Sequence, residues 1–153
     1  MIRLESITEE NWKEASRLSV HEEQRGFLDT PTGIIARGYV YRDSNARVFA
    51  IVSDSVIVGL ALFRNLDEAP ACYDLQQLMI DRRHQGRGFA AQALRLIIAM
   101  LREEGEYSCI EVCIHNNNAP ALRLFQNAGF RDTGYTDGSA PDCLNLTYDF
   151  DAD

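Results

Sequence analysis

Between residues 46 and 63 the chain reads ARVFAIV and then SVIVGLALF, two β-branched apolar runs parted by Ser53-Asp54. Runs of this kind predict an antiparallel hairpin. A third apolar segment, residues 71–80 (ACYDLQQLMI), predicts another central strand. The period then changes. From 88 to 104 the apolar side chains fall at 90, 93, 94, 97, 98 and 101, the spacing of an amphipathic helix laid on a sheet. Residues 107–114 (YSCIEVCI) return to a buried strand. Pro120 opens a further helix with Ala121, Leu122, Phe125 and Ala128 on its inner face, and Gly129 is placed to stop it. Residues 142–150 predict a last strand. Upstream, residues 2–7 alternate as a short strand. Thr8, followed by Glu9 and Glu10, predicts a helix start, with the helix running to about Val20. Asp29-Thr30-Pro31 marks a second break, ahead of another short helix.

The predicted order is β-α-α-β-β-β-α-β-α-β-β, a mixed α/β (α+β) domain over residues 1–153 with about seven strands in one central sheet. Its first half is antiparallel. The helix of residues 88–104 acts as a crossover, so the strands on either side of it are expected to be parallel.

Composition narrows the function classes. A formal net charge of -8 argues against general nucleic-acid binding, which needs many phosphate contacts by Lys and Arg. It favours cationic small molecules as partners. The early acids (Glu5, Glu9, Glu10, Glu14, Glu22, Glu23) and the late ones read first as solvated faces. Apolar runs such as Val56 to Phe63 are far too short to span a bilayer, and the acidic start lacks the apolar centre of a secretory signal. A cytoplasmic protein is expected. Cys72, Cys109, Cys113 and Cys143 all fall in strand-like segments without a C-x-x-C pair, and buried thiols are expected rather than metal ligands or disulfides. No metal is expected.

One stretch is out of character: Asp81-Arg82-Arg83-His84-Gln85-Gly86-Arg87-Gly88-Phe89-Ala90, at the junction between a strand and the long helix. A helix N-terminus offers unpaired N–H groups, glycines let a ligand approach the backbone, and arginines suit phosphates. The turn is chemically fit for a diphosphate. Gly86-x-Gly88-x-x-Ala91 also satisfies a relaxed dinucleotide fingerprint, which keeps a dinucleotide-dependent oxidoreductase open. That motif, however, expects an acid at the end of the following strand, where this chain has His115-Asn116-Asn117-Asn118. A nucleotide P-loop is excluded, because no Gly-Lys-Ser/Thr occurs.

Gln85-x-x-Gly88-x-Ala90 resembles the Q/R-x-x-G-x-G/A signature of the GNAT N-acetyltransferase superfamily. Asn118-x-x-Ala121-Leu122-x-Leu124-Phe125-x-x-x-Gly129-Phe130 resembles the family's second segment, N-x-x-A-x-x-L-Y-x-x-x-G-F. The likeness covers the whole chain in element order. It implies acetyl-CoA as cosubstrate, with Gln85, Gly86, Arg87, Gly88, Phe89, Ala90 and Ala91 around the diphosphate. It implies that Leu78, Met79 and Ile80 run beside the pantetheine arm, and that one of their N–H groups polarises the acetyl carbonyl. Asn118 would bond the pantetheine region, and its plain alternative is a helix N-cap. Phe125 departs from the family, which often has a proton-donating Tyr there. That departure keeps a non-catalytic acyl-CoA sensor open as an alternative.

The activity implied is acetyl transfer to a primary amine of a small cationic acceptor, and dimers are common in the family. For the base, Asp74 stands eleven residues before Gln85, the offset of the base glutamate in the histone-acetylating branch. Glu111 is the other strand acid, and His21, His84 and His115 read as ordinary histidines. Asn11-Trp12, Leu18-x-Val20 and Gln24-x-x-Phe27 resemble the bacterial spermine/spermidine branch, where the first two helices wall the acceptor site. This implies Glu22, Glu23 and Phe27 as acceptor-side residues and a polyamine-like substrate.

Overall fold

A computed structural model describes residues 1–152. The elements follow the expected order: β1 (Ile2–Ser6), α1 (Trp12–Ser16), α2 (Pro31–Val40), β2 (Arg47–Ser53), β3 (Val56–Leu66), β4 (Cys72–Ile80), α3 (Phe89–Glu104), β5 (Cys109–His115), α4 (Ala119–Asn127), β6 (Arg131–Asp132) and β7 (Cys143–Asp149). The seven strands form one sheet in the order β1-β2-β3-β4-β5-β7-β6. Every neighbouring pair is antiparallel except β4 and β5, which run parallel across the α3 crossover. The β2–β3 turn sits one residue later than the sequence suggests, on Asp54 and Ser55. Both have positive φ (47° and 70°), which matches the twist of a two-residue hairpin.

Each face of the sheet carries its own core. On one, Ala61, Phe63, Tyr73, Leu75, Ile110, Val112 and Ile114 meet Leu94, Ile97 and Leu101 of α3 and Phe125 of α4. The apolar stripe read from residues 90–101 is buried from Ala93 to Leu101, with Ala90 half-buried. Tyr73 is fully buried, yet its hydroxyl is satisfied: it donates to the Leu101 carbonyl (3.3 Å) and accepts from Glu106 N–H (2.9 Å). On the other face, Ala50, Val52, Leu60, Leu62 and Met79 are covered by Ala15, Leu18, Val20 and Ile34 from the first two helices and the chain after α1.

The first helix differs most from expectation. It begins at Trp12 rather than just after Thr8 and ends at Ser16 rather than near Val20. Thr8 does not cap it; the Thr8 carbonyl instead accepts from Asn11 and Trp12 N–H (3.3 and 3.1 Å). At the other end, Ser19 N–H donates to Asp81 Oδ1 (2.9 Å), and the Ser19 carbonyl accepts from Arg82 N–H (2.7 Å). These tertiary bonds replace the i→i−4 bonds that would have continued the helix. The weak break at Thr30-Pro31 opens a full ten-residue helix, with Thr30 Oγ1 accepting from Gly33 N–H at 3.0 Å. No helix among the described residues is long and apolar enough to cross a membrane.

Candidate active site

β4 and β5 pair only at Tyr73–Ile110, Asp74–Glu111 and Leu75–Val112. Beyond that the strands part, although β4 continues to Ile80 and β5 to His115. The parting coincides with an irregularity on the other edge of β4: Leu62 faces Gln77 and Phe63 faces Leu75, leaving Gln76 without an opposite. The opening is a cleft of about 360 Å³ whose walls are the two free strand ends, the glycine-rich turn, the start of α4 and the chain before α2.

The backbone orientation in this gap follows from one hydrogen bond. Asp81 N–H points to β3, bonded to the Val58 carbonyl at 2.7 Å. Alternation along the strand therefore turns the N–H and C=O groups of Leu78 and Ile80 toward the gap. The Ile80 carbonyl is taken by Gln85 Nε2 (2.9 Å). Leu78 thus presents a free amide edge to whatever fills the cleft.

The turn itself is an anion cradle. Gly86 and Gly88 both have φ of 79°, and Gly88 is the N-cap of α3 with no side chain capping the helix. A Cβ at Gly86 would meet nothing within 4 Å, so the approach to the backbone is open. Uncapped N–H groups on a sixteen-residue helix, at a turn carrying Arg82, Arg83 and Arg87, suit a diphosphate.

The floor of the turn is Asp81, a fully buried carboxylate. It accepts from Ser19 N–H, from Arg83 N–H (3.2 Å) and from Arg83 Nε (2.8 Å). Burial alone would raise its pKa. The hydrogen bonds from Ser19 and Arg83 outweigh burial and hold the carboxyl below its ordinary 3.8. Its contribution to stability is therefore present above that ordinary value and fades as pH falls through the lower folded-state value. Asp81→Asn should cost about 1–3 kcal/mol at pH 7, and in urea titrations the gap to the parent should narrow as the pH falls below the ordinary carboxylate value. A gap that stays constant with pH would contradict this account of Asp81.

Of the expected donor-side residues, Leu78, Met79, Ile80, Gln85, Gly86, Gly88, Phe89, Ala90, Ala91, Asn118 and Phe125 line the cleft. Arg87 is not among the lining residues; it is exposed. Asn118 is the N-cap of α4, its Oδ1 accepting from Ala121 N–H at 3.4 Å, so the capping alternative holds at the cleft wall. Phe125 is 3% exposed and packs edge-on against Phe130, with ring centroids 5.1 Å apart.

The acceptor-side expectations fare less evenly. Phe27 lines the cleft and lies on the His115 ring at 5.4 Å. Glu22 and Glu23 do not; they are exposed in a short 3₁₀ turn whose other end, Gln24, faces inward. Asp74 stands outside the lining residues as well, and its Oδ2 is engaged by Arg64 Nε and Gln76 Nε2, both at 3.1 Å.

Other residues reach the cleft without having been expected there: Gln24, Gln76, Gln77, His84, Cys113 and His115. The alternation of residues 107–115 (YSCIEVCIH) signals that Cys113 and His115 share a face, but not that this face is open. The cysteines correct the expectation of buried thiols. Only Cys72 is buried, Cys109 and Cys143 are half-buried, Cys113 is exposed to the cleft, and all are free. The Cys113 thiol is pushed up to about 12 by burial of its sulfur first, then by Cys143 and the charges of Asp137 and Asp74. Among the described residues no group of three or more His, Cys, Asp or Glu is placed to hold a metal ion.

The family model described as "Acetyltransferase (GNAT) family" matches residues 3–130. The chain belongs to the GNAT acetyltransferase family. A spermine/spermidine N(1)-acetyltransferase of Bacillus subtilis is 36% identical over 63 residues, 41% of this chain and 41% of the relative. The match thus spans about two fifths of that relative's length. A spermidine N-acetyltransferase from Vibrio cholerae, solved with CoA and spermine, superposes with a TM-score of 0.75 at 15% identity, covering 96% of this chain and 94% of that one. An aminoglycoside acetyltransferase solved with coenzyme A superposes with a TM-score of 0.79 at 14% identity, covering 97% and 95%. GNAT structures with unlike acceptors thus fit equally well, and the likeness speaks for the fold. A GNAT sheet also leaves no place for the dinucleotide reading, since the glycine turn follows a fourth strand in a mostly antiparallel sheet.

Proposed function

We propose that this chain is an acetyl-CoA-dependent N-acetyltransferase acting on a primary amine of a small cationic acceptor, with polyamines favoured. One observation carries the reading: the gap between β4 and β5 ends at an uncapped glycine turn that suits a diphosphate. Acetyl-CoA supplies an activated acyl group, which passes to the amine nitrogen as the C–S bond breaks and the thiolate takes up a proton. Gly86, Gly88 and the first α3 amides bind the diphosphate. The free amide edge of Leu78 pairs with the pantetheine arm and fixes its direction. Val112, Ile114, Leu124 and Phe125 provide an apolar wall that keeps water from the acyl group. The acceptor enters from the side of Phe27, Gln24 and His115, where Asp74 and Asp137 supply a field that attracts ammonium groups and Glu22 and Glu23 extend it at the surface.

The base we propose is Asp74, working through water because Arg64 and Gln76 hold one of its oxygens. The proton donor to the thiolate is water, since Phe125 has no hydroxyl. Free thiol release from acetyl-CoA, followed across spermidine, spermine, an aminoglycoside and free amino acids, tests the reading. Amine-dependent release that is greatest for the polyamines is expected, and no amine-dependent release at all would sink it. Asp74→Asn should lower kcat/KM by about a hundredfold. An unaltered rate would take Asp74 out of the mechanism.

A further inference from the structure

Gln85 is the first residue of the glycine-rich signature, yet its side chain does not face the diphosphate cradle. It turns back, and its amide is fully occupied. Gln85 Nε2 donates to Gln24 Oε1 (2.9 Å) and to the Ile80 carbonyl (2.9 Å), and Gln85 Oε1 accepts from Gln24 Nε2 (3.2 Å). The two glutamines, 61 residues apart, form a reciprocal amide pair. Gln24 Oε1 also accepts from His21 N–H at 3.0 Å, so the same amide fixes the 3₁₀ turn that leads into Phe27.

This clasp is one end of a bridge. The chain from Ser19 to Gln24 is fastened to the β4 lip of the cleft at Asp81, Arg82 and Gln85. Past Gln24 it crosses the gap. Phe27 rests on His115 of the β5 lip, and Asp29 N–H returns to Gln77 Oε1 of β4 at 3.0 Å. The acceptor-side wall is therefore tied to the donor turn at Ser19 by bonds of its backbone groups and, nearest Phe27, by the Gln24–Gln85 side-chain pair.

We infer that Gln24 and Gln85 are positioning residues that couple the two substrate sites: a diphosphate seated on the turn fixes Gln85, Gln85 fixes Gln24, and Gln24 sets Phe27 against the acceptor. The inference rests on the reading of the turn as the CoA site. The turn carries two glycines in the left-handed region, and an anion on its amides would restrain the backbone there. With the turn restrained in this way, a second ligand that needs the same ordered wall would bind at lower entropic cost. Linkage makes the effect reciprocal, so CoA and acceptor strengthen each other's binding.

The test uses Gln24→Leu, which removes the clasp but leaves Gln85 bonded to Ile80, and Gln24→Asn, one methylene too short to reach, should Gln24→Leu misfold. Hydrogen exchange of residues 17–29 is followed with and without CoA, alongside calorimetric CoA affinity and steady-state kinetics with spermidine. In the parent, CoA should slow exchange in this segment. In the variant that protection should vanish while CoA affinity stays within about threefold and KM for spermidine rises by about tenfold. Protection that survives the substitution, or CoA affinity that falls in step with spermidine KM, would overturn the coupling and leave the clasp a structural tie. A parent that fails to bind CoA would instead overturn the reading of the turn, and the coupling with it.

Discussion

Gly88→Glu binds CoA at least about a hundredfold more weakly than the parent while remaining folded. Two effects with different signatures combine here. Gly88 sits at φ of 79°, where an L side chain costs roughly 1–2 kcal/mol. Space is not the obstacle, since a Cβ there would find its nearest neighbour, Gln92 Nε2, at 3.9 Å. Charge repulsion weighs more. A carboxylate about 5 Å from one diphosphate charge costs on the order of 3 kcal/mol at an effective dielectric near 20, or about two orders of magnitude in affinity. Gly88→Ala carries the backbone cost alone, so the pair separates strain from repulsion. Calorimetric titration with CoA reads both variants. If Gly88→Glu keeps parental affinity, the diphosphate lies elsewhere and the proposed donor site falls.

The second large effect is on stability, at Gly59. This residue sits in β3 opposite Ile80, where the two strands come close. A Cβ at Gly59 would overlap the Met79 carbonyl oxygen and stand 2.9 Å from Ile80 Cδ1 and 3.2 Å from Ile51 Cδ1. Side chains can give way, but the carbonyl belongs to the β3–β4 ladder and cannot move without moving β4. Gly59→Ala is therefore expected to destabilise by roughly 3 kcal/mol and to lower Tm by roughly 10 °C. Because the displaced residues are those beside the cleft, CoA affinity should fall as well. A Tm within about 2 °C of the parent would mean that β4 tolerates the displacement.

How far the residue pattern could be read depended on how local the cause was. The α3 stripe at 90, 93, 94, 97, 98 and 101 is a property of one segment, and it appears in the fold as expected, apart from a half-buried Ala90. The β2–β3 hairpin and the parallel β4–β5 pair were legible for the same reason. The early end of α1 was not. It depends on Ser19 meeting Asp81, 62 residues away, and Asp81 in the sequence is one acid among many. Glu22 and Glu23 illustrate the converse. Their charge was plain, but which side of a three-residue turn faces the cleft is decided by Gln24 pairing with Gln85, and no periodicity carries that information. Asp74 stood at a promising offset; the neighbouring Arg64 on β3 takes up one of its oxygens, and strand pairing alone reveals that. The donor turn was legible because two glycines, a helix start and a strand end meet within ten residues.

A thioester enzyme carries a hazard in any free cysteine beside its acyl group, since a thiolate attacks thioesters faster than an amine does and would leave the protein acylated on itself. Cys113 faces the cleft, but with its thiol pushed up to about 12 only about one molecule in 10⁵ carries the thiolate at pH 7. Desolvation of the sulfur, ahead of the neighbouring Cys143, Asp137 and Asp74, is what holds it protonated. At the proposed site, selectivity for nitrogen over sulfur thus rests first on the desolvation of this one sulfur atom, without the cysteine being replaced.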